Sequence, residues 1–291
     1  MENKYHVRSN SFPSQSHPSS TRIEQEINNI KTWEATSTST SYSITTGLSL
    51  LQDLYISLED LLNMSSTQNI ISHRQGEKCV EELLDGSVKI LDVCGIARDT
   101  VLQIKENVES LHSSLRRRKG DSSIETSVAE YKFFTKKMKK NVTKLITSLK
   151  HMECKFGASS LLNQDQDFAV VVRVLREVIV INISIFQSIL SFLVGSASKS
   201  KANKWFKMAK LMHRRVVSCD ENLENFNELE CVEASLRTLS SEGCNVSKRQ
   251  DAHERLEALE NAIERVENGL ESVFRHLIKT RVCLLNIMTL S

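Results

Sequence analysis

Proline is almost missing from this chain of 291 residues: Pro13 and Pro18 are the only two. Glycine is scarce as well, with nine widely spaced copies. Sheet proteins of this length need frequent turn residues, whereas long helices exclude proline from their interiors, so the two scarcities favour an all-α chain with few, long helices. Net charge is close to absent at +2, which leaves any attraction to nucleic acid or membrane to local patches. The seven cysteines stand singly, with no Cys-x-x-Cys pair and an odd total. That spacing fits neither a disulfide framework nor a zinc site and suits a reducing compartment. No apolar signal segment lies near Met1, which argues against secretion and makes the sequons at Asn63, Asn141, Asn182 and Asn245 chance matches.

Catalytic patterning is lacking too. The eight histidines form no His-x-x-x-His pair, the glycines form no phosphate-cradling loop, and no Gly-x-Ser-x-Gly or Cys/His arrangement stands out. Glu257, Glu260, Glu264 and Glu267 fall at helical spacing on a wet face, where solvation explains them better than acid–base work. The expectation is a non-enzymatic protein with no catalytic, cofactor-binding or metal residues.

What the chain does have is one long apolar stretch. Residues 168–194, FAVVVRVLREVIVINISIFQSILSFLV, would extend roughly 40 Å as a helix. At about 100° per residue, Arg173, Glu177, Ser184, Ser188 and Ser191 fall in one narrow stripe, with Arg176 and Gln187 beside it and Asn182 alone opposite. So thin a wet edge predicts a helix in the middle of a bundle. The competing reading is a membrane span, since 178–194 carries no charge. That run is only about 26 Å, short of the roughly 30 Å hydrocarbon core, and cations on both flanks assign no orientation.

Residues 1–43 are expected to form a disordered Ser/Thr-rich tail holding a short helix, with Thr21 and Glu24 as its capping box and Ile23, Ile27 and Ile30 on one side. Residues 44–291 are expected to form a single domain, an elongated antiparallel bundle of six or seven helices. Ile44, Leu48, Leu51, Tyr55, Leu58 and Leu62 step by four and three, as a packed seam does. A polar loop is predicted over 64–76. Long helices over 77–119 and 122–156 make a hairpin around the basic run Arg116 to Lys119, and Gly86 and Gly95 mark close helix contact or a slight bend. Lys132, Lys136, Lys140 and Lys144 share one face of the second helix, ordinarily the solvated side. Helices are also predicted over 222–241 and from about residue 248. In the last one Leu256, Leu259, Ile263, Val266, Leu270, Val273, Leu277, Leu284 and Ile287 alternate by three and four, with Thr280 in the one polar slot. Such a coiled-coil-like seam packs inside the molecule or pairs with a second chain, so self-association stays open.

Two segments carry binding patterns. In the tail, Arg8-Ser9-Asn10-Ser11-Phe12-Pro13 has the form Arg-Ser-x-Ser-x-Pro, in which phosphorylated Ser11 flanked by Arg8 and Pro13 would suit the arginine cluster of a 14-3-3-type module. The plain reading is a solvated tail, and the Ser-rich, acid-free 3–23 also fits a plastid transit peptide. Further on, residues 199–217 set Lys204, Lys207, Lys210, Arg214 and Arg215 among Trp205, Phe206, Met208, Leu211 and Met212. A basic helix with such anchors suits an anionic membrane surface or calmodulin; the alternative is an ordinary amphipathic bundle helix. Protein partners are expected, nucleic acid is not, and the expected location is cytoplasmic with membrane association as the variant.

Six stretches, taken in order, resemble the plant BYPASS-like family: HVRSNSFPSQSHP, LLDGSVKILDVCGIARD, LRRRKGD, FQSILSFL, KWFKMAKLMH and RVCLLNIMTLS. The resemblance covers almost the whole chain. It implies an all-α plant protein linked to root and shoot development through control of a mobile signal, with no established enzymatic activity and no binding residues to carry over.

Overall fold

The computed structural model describes residues 18–74, 76–117, 121–157, 166–195, 227–241 and 246–289. Eight helices and no strand occur among them: α1 (Pro18–Thr36), α2 (Ser41–Leu62), α3 (Ser65–Ser72), α4 (Lys78–Arg116), α5 (Asp121–Gly157), α6 (Gln166–Val194), α7 (Glu228–Ser241) and α8 (Val246–Thr289). Three exceed thirty residues: α4 with 39, α5 with 37 and α8 with 44.

Helix α6 occupies the centre. It packs against α5, α4 and α2, with smaller contacts to α3 and α1. Its interior face is continuous: Phe186, Ile189, Leu190, Phe192 and Leu193 are fully buried. The stripe of Arg173, Glu177, Ser184, Ser188 and Ser191 is its less buried edge, as the periodicity predicts. This helix is long and apolar enough to cross a membrane, with a mean hydropathy of 2.0, yet 61% of that window is covered by its own neighbours.

Helices α4 and α8 run antiparallel along a seam in which Val101, Ile104, Val108 and Leu111 meet the three-four row of α8. Polar pairs flank it: the ion pairs of Arg98 with Glu271 and of Lys105 Nζ with Glu267 Oε2 at 2.7 Å, and a hydrogen bond between His112 Nδ1 and Glu260 at 2.8 Å. Arg98, Lys105 and His112 recur every seven residues, the spacing that keeps charges beside a left-handed seam. Thr280 does occupy a buried seam position.

The differences from the sequence expectations have local causes. The helix expected within the tail begins at Pro18 and spans 19 residues, and Ile23, Ile27, Ile30 and Trp33 lie in the main core. Packed against α2 and α6, α1 therefore belongs to the bundle, and a boundary at residue 43 cuts through the domain. What the Ser/Thr-rich 37–43 does instead is turn the chain: Thr40 caps α2 by accepting from the Ser43 N–H, and Trp33 Nε1 donates to the Ser43 carbonyl at 3.0 Å. The predicted 64–76 loop contains α3, anchored by buried Ile71 and Thr67; eight residues are too few for a clear apolar period. Of the two helix-interior glycines, Gly86 marks close contact, since a Cβ there would lie 2.7 Å from Phe156 Cζ and 2.8 Å from Ile179 Cδ1. Gly95 touches nothing within 4 Å at that position.

Candidate functional site

Among the described residues, a concentration of buried polar side chains lies where α2, α6 and α8 meet. From α2, Tyr55 points inward because it sits on the Leu51–Leu58 seam, and its hydroxyl donates to Asn182 Oδ1 at 3.1 Å. Asn182, the lone polar residue opposite the wet stripe of α6, satisfies its amide by donating Nδ2 to the Val178 carbonyl at 2.7 Å. Burial pushes the Tyr55 phenol far above its ordinary value, so it stays protonated. The Tyr55 ring stacks on His276 of α8 with 6.2 Å between centroids and 13° between planes. One turn along α2, buried Glu59 receives His276 Nδ1 at 2.9 Å and also pairs with Lys279 Nζ. Burial opposes ionisation of Glu59, but the hydrogen bonds from Lys279 and His276 outweigh it and hold the carboxyl below the usual carboxylate range.

These groups tie helices together rather than face a reactant. Tyr55 and His276 stack instead of exchanging a proton. The adjoining cavity, bordered by Asn182, Ser87, Thr280 and Arg281, measures about 40 Å³, which suits a few waters. Thr280 Oγ1 is buried there with no hydrogen-bond partner among the described residues. Arg281 Nη1 closes the edge by donating to the Leu84 carbonyl at 3.1 Å and to Ser87 Oγ at 2.8 Å. Nearby Cys94 is fully buried, and burial pushes its thiol up to about 12, far from a nucleophile's range. Among the described residues no group of three or more His, Cys, Asp or Glu converges as a metal site does.

Two further polar junctions sit at helix ends. Asn227 accepts the Leu229 N–H at 2.9 Å, capping α7, and donates Nδ2 to the Phe192 carbonyl at 2.7 Å, so one amide joins the end of α6 to the start of α7. Glu228 takes the Ser41 N–H at 3.2 Å and its hydroxyl as well, placing a carboxylate at the positive end of α2. The tail candidates Arg8, Ser11 and Pro13 and the basic-segment candidates Lys204, Trp205, Lys207, Lys210, Arg214 and Arg215 lie outside the described residues. The Glu59–His276–Lys279 cluster cannot be read from spacing; its only signal is an acid directly after seam residue Leu58 and, in the last helix, a His and a Lys three residues apart.

The family model for Protein BPS1 matches residues 47–287, which takes in α3 to α7 whole, most of α2 and nearly all of α8. The chain belongs to the BPS1 family. This is the plant BYPASS group that its motifs resemble, and the match reaches from the first seam helix to Ile287 at the end of the last seam. No curated protein and no solved structure matches the chain. The BPS1 family match begins inside α2, so α1, although packed in the core, stands before it.

Proposed function

We propose that this BPS1-family protein is a non-enzymatic adaptor or regulator acting in root and shoot development, a rigid helical body that presents faces and a tail to other molecules. The observation that carries the reading is the use made of buried polarity: Tyr55, Asn182, Glu59 and His276 are spent on helix–helix contacts around a cavity of about 40 Å³. The protein acts in the cytoplasm, through protein partners that include a 14-3-3-type module on the phosphorylated tail. Complementation of a plant lacking the protein tests this. Tyr55→Phe and His276→Asn variants that melt like the parent should restore normal roots and shoots, whereas a well-folded variant that fails would make the node a working site and refute the reading.

A membrane-embedded protein is the second reading, favoured by the length and hydropathy of α6. Carbonate extraction of cell membranes separates the two, because a spanning protein stays in the pellet and a soluble or peripheral one is released.

A further inference from the structure

Helix α5 carries a surface that the bundle does not use. Between residues 131 and 152 it holds seven lysines and no Asp, Glu or Arg, in a chain whose net charge is only +2. Tyr131, Met138, Val142, Leu149 and Met152 face the core. At about 100° per residue the seven lysines spread over an arc of roughly 160° opposite that seam, so the packing against α4 and α6 turns the cationic face outward. Lys139, at the margin, is drawn off by Glu233 of α7. Lys136, Lys137, Lys140 and Lys144 are exposed and take no ion pair among the described residues.

One residue on this face is not a cation. Phe133 lies in the middle of the arc, three, four and seven residues before Lys136, Lys137 and Lys140, and is 73% exposed while its neighbour Phe134 packs on the core. Single exposed apolar side chains are common on protein surfaces, but this one stands within a row of four exposed lysines. We propose that this face of α5, Phe133 with Lys136, Lys137, Lys140 and Lys144, docks the folded bundle on an anionic lipid surface, the lysines meeting the headgroups and the phenyl ring entering the interface. From Phe133 to Lys144 the row runs straight for roughly 17 Å, and a flat charged plane is the complement of a straight helical row. Helix α5 has no arginine, so the forked donors that read phosphates and base edges in nucleic acids are missing, whereas point charges suffice for headgroups. The inference stands apart from the adaptor reading, since an adaptor without this face is still an adaptor.

Sedimentation of the full chain with vesicles decides it, using phosphatidylcholine alone and phosphatidylcholine with about a third phosphatidylserine. The parent should bind only the anionic vesicles and weaken as salt rises from about 0.1 to about 0.5 M. Each lysine near such a surface is worth about fivefold in affinity, so replacing Lys136, Lys137, Lys140 and Lys144 together with Gln should weaken binding by on the order of a hundredfold or more. That variant keeps Lys204, Lys207, Lys210, Arg214 and Arg215, which separates the two basic segments. Phe133→Ser keeps every charge and should lose about fivefold in affinity with the salt dependence preserved. All these positions are exposed, so the helical circular dichroism and melting of both variants should match the parent's. Either variant binding like the parent, equal parental binding to neutral vesicles, or tighter binding to RNA than to anionic vesicles would overturn the proposal.

Discussion

Leu190 lies at the middle of the fold and tests it most directly. Its side chain is fully buried, as are those of Phe186, Ile189 and Leu193 around it on α6, and α5, α4 and α2 close over the helix. Leu190→Ala removes three methylene equivalents of about 0.8 kcal/mol each, roughly 2.4 kcal/mol of transfer free energy. Helices held on several sides cannot collapse fully into the gap, and residual cavity adds about 24 cal/mol per Å³, bringing the loss to about 3–5 kcal/mol. At roughly 2–4 °C per kcal/mol for a chain of this size, Tm should fall by roughly 6–20 °C while the protein still folds. Leu190→Asp buries a charge without a partner, and the bundle should not form. Val170 on the same helix is 42% exposed, and Val170→Ala should shift stability by no more than about 0.5 kcal/mol. Thermal and urea melts followed by circular dichroism at the helical band report all three. If Leu190→Asp melted like the parent, or Leu190→Ala behaved like Val170→Ala, α6 would not be the central helix.

Glu59 gives the bundle an acid-sensitive tie. Its folded pKa is lowered, so its contribution is complete above the unfolded carboxylate value of about 4.3 and is lost as pH falls through the folded value; urea midpoints across that window should drop in the parent and flatten in Glu59→Gln. The pKa of Lys279 is raised by the same carboxylate, so its share persists through neutral pH and is lost only as pH rises past the ordinary lysine range. Gly86→Ala drives a Cβ into Phe156 and Ile179, and Gly95→Ala meets nothing: melts should show the first destabilised by about 1–3 kcal/mol and the second unchanged or slightly stabilised. For the tail, the peptide spanning residues 5–16 should capture a 14-3-3-type protein when Ser11 is phosphorylated, and lose it when unphosphorylated or when Arg8 is Ala; equal capture by all three sinks the docking idea.

Periodicity made most of the fold legible because it records burial, and burial is what long helices share. The seams of α2, α4, α5 and α8 and the thin wet stripe of α6 could all be counted off residue by residue. Local signals failed where a polar segment owes its structure to a distant partner. Residues 36–43 look like a linker because their polar groups answer to partners elsewhere: the Ser43 carbonyl accepts from Trp33, ten residues away, and the Ser41 N–H and hydroxyl donate to Glu228, 187 residues away. Helix α3 is held by Ile71 and a few neighbours, too short a run for a period to show. The same limit hid the Glu59 cluster, whose meaning appears only when α2 and α8 lie side by side with Glu59 against His276 and Lys279. The lysine row of α5 is the opposite case. Its spacing is plain in the sequence, and what the sequence could not supply was direction: only the packing of α5 against α4 and α6 turns Phe133 outward among the lysines. A charged face opposite a buried seam is ordinarily solvated; the aromatic ring within this lysine row adds the apolar anchor that a lipid interface can take up.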